Sequence, residues 1–104
     1  MSSSKLSSVS SILDEVLRLI SSGENKYALG SKEVSDATSM RNIKYVIFSD
    51  AIFKSNKDED AIIKLLNLIE MYGGKLYAVD SSTDLGLRIS SLGGIVGLLR
   101  YSKI

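Results

Sequence analysis

"IKYVIFSD", residues 43–50, is the stretch that decides the fold, because it contains the clearest strand in the sequence. Ile43 and the run from Tyr45 to Phe48 are β-branched or aromatic. A run of this kind is suited to burial on both faces of a sheet. The stretch therefore predicts a strand with its two faces covered.

The segments before and after this strand alternate between helical and strand-like patterns. Apolar residues recur at helical spacing in four segments, and glycine pairs at 73–74 and 93–94 end two of these helices. The predicted elements are helices over 6–21, 31–40, 58–72 and up to 92, and strands over 26–30, 43–50, 75–79 and 95–101. This alternation predicts an α/β fold, a three-layer α/β/α sandwich of about four strands and four helices.

The composition argues against an enzyme. The 104 residues fit one domain and contain neither cysteine nor histidine, so thiolate or imidazole metal sites and histidine-based catalysis are absent. Asp50 and Asp80 follow two predicted strands, where carboxylates can line a ligand crevice. We interpret both as turn caps, because two carboxylates without a third ligand or a base make a weak site. No catalytic residue, metal or cofactor is predicted.

Charge and hydropathy predict a cytoplasmic protein. Thirteen basic and twelve acidic residues are interspersed, which leaves little long-range field to attract nucleic acid. "LGGIVGLL", residues 92–99, is the longest apolar-plus-glycine run and is far shorter than the ~20 residues that span a bilayer. No membrane association is expected. The serine-rich residues 1–5 are interpreted as a flexible linker.

The stretch "GSKEV", residues 30–34, has two interpretations. A glycine between a strand and a helix can bring backbone N–H groups to a phosphate. It can also be an ordinary turn that joins a strand to a helix, with Gly30 in the turn, Ser31 as N-cap and Glu33 in the first helical turn. The glycine spacing of phosphate-binding loops is missing, which favours the interpretation as a turn between strand and helix. Phosphoryl transfer through this loop is correspondingly disfavoured.

The motifs, in their order, resemble the C-terminal domain of Pelota and of the archaeal and eukaryotic class-I peptide-chain release factors. The resemblance is carried by "ILDEVLRLI", "YALGSKEVSDA", "YVIFSDAIF", "YGGKLYAVDSS" and "LGGIVGLLRY". It covers nearly the whole chain and implies one domain over 6–104, a fragment of a longer protein. It also implies an α/β/α sandwich related to the kink-turn RNA-binding ribosomal proteins.

Two features separate Pelota from its relatives. Kink-turn binders carry a Gly-x-Asn-Glu signature where this chain has Lys32, and an ammonium cannot offer the paired donor and acceptor of an amide. Release factors carry an inserted minidomain where this chain has only "SDAIFKSNKDED". The short connection favours Pelota. The alternatives are a release-factor C-terminal domain and a kink-turn RNA-binding protein, in which Lys32 would be a possible RNA contact.

The resemblance implies a docking domain for mRNA surveillance and ribosome rescue (no-go decay). The implied partners are a translational GTPase of the elongation factor 1-alpha type and the ABC-type recycling ATPase, with the ribosome reached through the full-length protein. It implies GTPase contacts near the start of the first helix and the end of the last strand, hence Leu6, Val9, Tyr101 and Ile104.

Two further apolar residues of the first helix complete the candidate contacts. Ile12 and Leu19 lie seven residues apart, to one side of the main apolar stripe, and form a second strip that could face a partner. Alternatively, the helix buries one broad face against a sheet.

Overall fold

The predicted strand around Val46 is confirmed, and it lies inside a four-stranded mixed sheet. The computed structural model describes residues 4–55 and 59–102. In chain order the elements are α1 Ser4–Ser22, β1 Tyr27–Leu29, α2 Gly30–Ser39, β2 Tyr45–Ser49, α3 Ala51–Ser55, α4 Glu59–Met71, β3 Lys75–Val79, α5 Asp84–Ser91 and β4 Ile95–Leu98.

The fourth strand lies in the interior of the sheet, whose order is β1-β4-β2-β3. Strand β4 runs antiparallel to both neighbours, and its Leu98 is opposite Tyr27 of β1 and Tyr45 of β2. Strands β2 and β3 are parallel, with Tyr45 opposite Lys75. All four residues of β4 are buried, as its place between two strands and two helical layers requires.

Helices cover both faces of the sheet, as the sequence predicts. Successive side chains of a strand point to opposite faces. Val46 packs in a cluster with residues of α2, α3 and α4, whereas Ile47 packs in a second cluster with residues of α1 and α5. The result is a three-layer α/β/α sandwich with two apolar cores.

A glycine in β4 marks a close approach between the sheet and α2. A Cβ atom built on Gly97 would lie 3.3 Å from the Ile43 side chain and 3.5 Å from that of Val34. At these distances, the absence of a side chain on Gly97 lets α2 pack closely on the strand.

Several local details differ from the sequence predictions, and β4, for example, ends at Leu98 rather than at Tyr101. The short helix α3 occupies part of the connection after β2, where no helix was predicted. The predicted N-cap at Ser31 is wrong, because α2 begins at Gly30 and Leu29 occupies the N-cap position. None of the helices in the described ranges combines the length and apolarity needed to cross a bilayer.

Candidate functional site

The segment that follows β4 is fixed in place at one end of the sheet. The Leu99 N–H donates to the carbonyl of Lys26 at 3.0 Å, and the Arg100 Nε donates to the carbonyl of Ile43 at 3.1 Å. These bonds tie the segment to the residues that precede β1 and β2. The chain therefore leaves the sheet along a defined path.

Asn42 adds three hydrogen bonds to this segment. Its Oδ1 accepts from the N–H groups of Arg100, at 3.0 Å, and Tyr101, at 2.8 Å. Its Nδ2 donates to the Tyr101 carbonyl at 3.0 Å. The Asn42 side chain uses both its donor and its acceptor, so it holds the backbone of Tyr101 from both sides.

The side chain of Tyr101 projects into solvent from this fixed backbone. It is 70% exposed, although its backbone N–H and carbonyl are both bonded to Asn42. An exposed aromatic ring on a rigid backbone loses little conformational entropy when a partner binds it. Tyr101 therefore has the properties of an interface anchor.

Tyr101 also lines a cleft in which basic residues outnumber acidic ones. Its volume is about 430 Å³, and its lining includes Lys26, Lys44 and Arg100 together with leucines 19, 98 and 99. Glu15 also lines it, but its carboxylate accepts a hydrogen bond from Arg18 Nε at 3.2 Å. We call this space the basic cleft.

Neighbouring basic residues favour the ionised form of Glu15. The hydrogen bond from Arg18 holds the pKa of Glu15 below its usual value, and the positive charges of Lys26 and Lys44 act in the same direction. Glu15 is therefore ionised at neutral pH, and Arg18 is its partner.

A second cavity, of about 490 Å³, also has Tyr101 in its lining. Glu33 and Asp36 provide its charge, and Ala37 and Met40 provide apolar lining. Met40 is 77% exposed, which makes it the most exposed of the large apolar residues described. We call this space the acidic cavity. Tyr101 belongs to the lining of both spaces.

The structure corrects the interpretation of α1 as a partner-facing helix. Val9, Ile12 and Leu19 are 2%, 8% and 2% exposed and belong to the core cluster between α1 and the sheet. The helix buries one broad face, because the sheet beneath it is wide enough to cover both apolar strips. As the structure stands, these three side chains offer a partner almost no surface.

The structure describes the remaining predicted contacts only in part. Leu6 belongs to α1, but its side chain lies outside the described residues, and so does the whole of Ile104. At 1.5 Å per residue, Leu6 is ~20 Å along the helix from Leu19, which lines the basic cleft beside Tyr101. Of the predicted contacts, Tyr101 alone is both described and exposed.

The stretch around Gly30 serves the turn from β1 into α2. Gly30 has a φ of +88°, which favours glycine, and Glu33 Oε1 accepts a hydrogen bond from the Leu29 N–H at 3.2 Å. Lys32 is exposed on α2. These contacts favour the interpretation of "GSKEV" as a turn that joins a strand to a helix. An RNA contact by Lys32 stays a prediction.

Asp50 and Asp80 cap turns at the carboxyl ends of β2 and β3. Asp50 Oδ1 accepts from the Ser81 N–H at 2.9 Å, and Asp80 Oδ1 accepts from the N–H and the hydroxyl of Ser82 at 2.9 and 2.8 Å. Bonds from Ser81 lower the pKa of Asp50, and bonds from Ser82 lower the pKa of Asp80. Across residues 4–55 and 59–102, no group of three or more His, Cys, Asp or Glu residues could hold a metal ion.

A family model described as eRF1 domain 3 matches residues 6–103. The chain belongs to the eRF1 domain 3 family. A Pelota homologue of Nitrosopumilus maritimus is 48% identical over 102 residues, which cover 98% of this chain and 29% of that protein. The match confirms the resemblance to the C-terminal domain of Pelota. The chain spans less than a third of the length of the Pelota relatives that it matches.

Solved structures of two eRF1 domain 3 family members share the fold. The crystal structure of Archaeoglobus fulgidus Pelota is 31% identical, with a TM-score of 0.84, and the match covers 94% of this chain and 31% of that one. Dom34 of Saccharomyces cerevisiae is 27% identical, with a TM-score of 0.87, and the match covers 98% of this chain and 29% of that one. Dom34 is described as a translation termination-like factor involved in RNA quality control pathways and interacting with Hbs1.

Sequence reasoning missed Asn42, Met40 and the two charged spaces of this eRF1 domain 3 chain. The exposure of Met40 could have been predicted from the sequence, since this apolar residue follows the last turn of a polar helix. Asn42 carries no such signal, because its partners lie 58 and 59 residues away.

Proposed function

We propose that this chain is a partner-docking domain of a Pelota-like factor in mRNA surveillance and ribosome rescue, and that it binds a translational GTPase of the elongation factor 1-alpha type. Membership of the eRF1 domain 3 family supports this role, as does the interaction described for Dom34. The ABC-type recycling ATPase is the second partner that the resemblance implies. The ribosome itself would be reached through the whole factor.

The observation that carries the proposal is the exposed ring of Tyr101 on a backbone held by Asn42. Interface anchors are often aromatic side chains that lie beside cavities which the partner fills. Tyr101 lies beside two such cavities. We infer that the docking surface is centred on Tyr101 and includes Met40.

We propose binding rather than catalysis as the activity of the domain. The chain lacks histidine, the most common general base, and cysteine, a common nucleophile. The carboxylates of Asp50 and Asp80 are engaged by backbone N–H groups at turns. Their arrangement stabilises loops.

Calorimetric titration of the chain into the GTPase, loaded with a non-hydrolysable GTP analogue, tests this function. We expect Tyr101→Ala to weaken binding by roughly 30-fold or more, the range of an interface hot spot, because the ring is the anchor. The thermal unfolding temperature should change little, since the ring is mostly solvent-exposed. Tyr101→Phe should bind nearly as well as the unaltered chain.

Leu87→Ala is the matched control, because Leu87 is also exposed and lies on α5, away from both cavities. A parallel titration with a kink-turn RNA hairpin tests the alternative function. RNA binding that Lys32→Ala abolishes, without any GTPase binding, would overturn the docking proposal in favour of RNA recognition.

A further inference from the structure

Three basic residues meet at one end of the sheet because of the strand register. Lys26 precedes β1 and Lys44 precedes β2, whereas Arg100 follows β4, which runs antiparallel to both of those strands. The Leu99 N–H donates to the Lys26 carbonyl at 3.0 Å, and the Lys44 N–H donates to the Leu98 carbonyl at 2.8 Å. Lys26 and Lys44 therefore flank the segment that leaves β4, and their backbones are roughly 10 Å apart, or two strand spacings.

The cations of the basic cleft have no carboxylate partner in the described part of the chain. The ion pairs of residues 4–55 and 59–102 join Arg18 to Glu15 and to Glu24, and none of them includes a lysine or Arg100. Glu15 lines the cleft, but its carboxylate is already bonded to Arg18. With three basic residues and one acidic residue in its lining, the cleft carries a net positive charge.

Arg100 is positioned to receive a carboxylate. Its Nε donates to the Ile43 carbonyl at 3.1 Å, and the residue is exposed. Its two terminal nitrogens form no hydrogen bond with another described residue. A guanidinium with both terminal nitrogens available can donate to the two oxygens of one carboxylate. Arg100 is therefore held by one nitrogen and can bind a ligand through the other two.

The basic cleft also offers an apolar contact. Tyr101 lines it, and this residue is 70% exposed. The three leucines of the lining are buried, so the ring of Tyr101 provides the largest apolar side chain that a ligand can reach. A ligand that fits the cleft combines negative charge with an apolar group.

We propose that the basic cleft binds an acidic segment of the GTPase partner, in which Asp or Glu side chains contact Lys26, Lys44 and Arg100 and a neighbouring apolar side chain packs on Tyr101. Complementary charge across an interface mainly determines the choice of partner and the rate of association. The inference rests on the proposed function, because the segment belongs to the GTPase. It adds the chemical class of the segment that docks beside Tyr101.

The size and charge of the basic cleft favour a polypeptide over a nucleic acid. Tight binding of a nucleic acid requires cations along many phosphates, because counterion release at each phosphate supplies the affinity. The cleft has three cations, and Glu15 lies among them as an ionised carboxylate. A nucleic-acid backbone is negative at every nucleotide, whereas an acidic polypeptide can place an uncharged residue beside Glu15.

Neutralisation of the two lysines tests the proposal in the calorimetric titration of the GTPase. Lys26→Gln with Lys44→Gln removes two charges and keeps most of each side chain. We expect Kd to rise roughly 4- to 25-fold, which is roughly two- to fivefold for each charge. The dependence of Kd on salt concentration should become less steep, since fewer charges remain to be screened.

A single variant and a matched control accompany this pair. Lys26 is partly buried, so Lys44→Gln alone, at an exposed position, gives a test that is independent of folding effects at residue 26. It should raise Kd roughly two- to fivefold. Lys64→Gln with Arg88→Gln removes the same charge as the lysine pair from exposed positions on α4 and α5 that line neither cavity. This control should bind the GTPase like the unaltered chain.

The outcomes separate this inference from the function on which it rests. If Tyr101→Ala weakens GTPase binding but both lysine variants bind like the control, the acidic segment is overturned and the docking function stands. If the unaltered chain does not bind the GTPase, both are overturned. Binding of a single-stranded RNA oligonucleotide that Lys26→Gln with Lys44→Gln abolishes, with GTPase affinity unchanged, would overturn the inference in favour of nucleic acid.

Discussion

At the scale of single residues, Asn42 connects the loop before β2 to the segment after β4. Its side chain is 8% exposed and spans 59 residues of sequence to reach Tyr101. An amide is suited to this position because it offers a donor and an acceptor in one plane. Aspartate keeps the acceptor and loses the donor, and alanine loses both.

We predict that Asn42→Ala destabilises the fold and also weakens partner binding. The loss of three bonds to a partly buried backbone should lower the free energy of unfolding by about 1–3 kcal/mol. Binding should weaken because Tyr101 is no longer pre-positioned. Urea unfolding followed by tyrosine fluorescence measures the first effect, and titration of the GTPase measures the second.

Asn67→Ala is the control for this experiment, since Asn67 is exposed on α4. A fall in stability with unchanged affinity would mean that Asn42 is only a structural residue. Asn42→Ala leaves the Tyr101 ring intact. A clear fall in affinity would therefore support the role of Asn42 in positioning Tyr101.

At the scale of elements, the sequence predicts the long segments well. Helices α1 and α4 carry an apolar stripe at helical spacing, and β2 and β3 are short runs rich in β-branched and aromatic residues. Helix α3 has five residues, which are too few to show a period. Strand β4 is recognisable as a strand, but its interior place and antiparallel direction depend on contacts that periodicity does not record.

The start of α5 gives a prediction at the same scale. Thr83 Oγ1 accepts from the Gly86 N–H at 3.1 Å and donates to the Asp80 carbonyl at 2.6 Å. Thr83→Ala removes this N-cap, and we expect the free energy of unfolding to fall by about 1 kcal/mol. Thr83→Ser retains the hydroxyl and should be nearly neutral. Equal losses for both variants in denaturant unfolding would contradict a capping role.

At the scale of the whole molecule, the sheet separates two apolar cores. Ile69 of α4 belongs to one core and Ile89 of α5 to the other, and both are fully buried. Ile→Val at each position should cost about 0.5–1.5 kcal/mol. Because the two side chains share no cluster, the double variant should cost the sum within about 0.5 kcal/mol. A larger departure, measured by urea unfolding, would show that the sheet transmits repacking between its faces.

The candidate site was less predictable than the fold, since it is assembled from distant parts of the chain. Lys26, Lys44 and Arg100 are separated by 18 and 56 positions in the sequence, where acidic residues intervene. Only the sheet register brings them to one end. Tyr101 was identified from its residue type and the family resemblance, while its neighbours depend on tertiary structure.

The position of β4 has a consequence for how the protein is made. Synthesis proceeds from the N-terminus, so a nascent chain that stops before Ile95 contains β1, β2 and β3 but lacks the strand that joins β1 to the other two. Two strand edges then stay unpaired, and α1 lacks Val96 and Leu98 of its core. Unpaired edges favour aggregation. We therefore expect the sheet of this domain to be completed only after β4 has been synthesised.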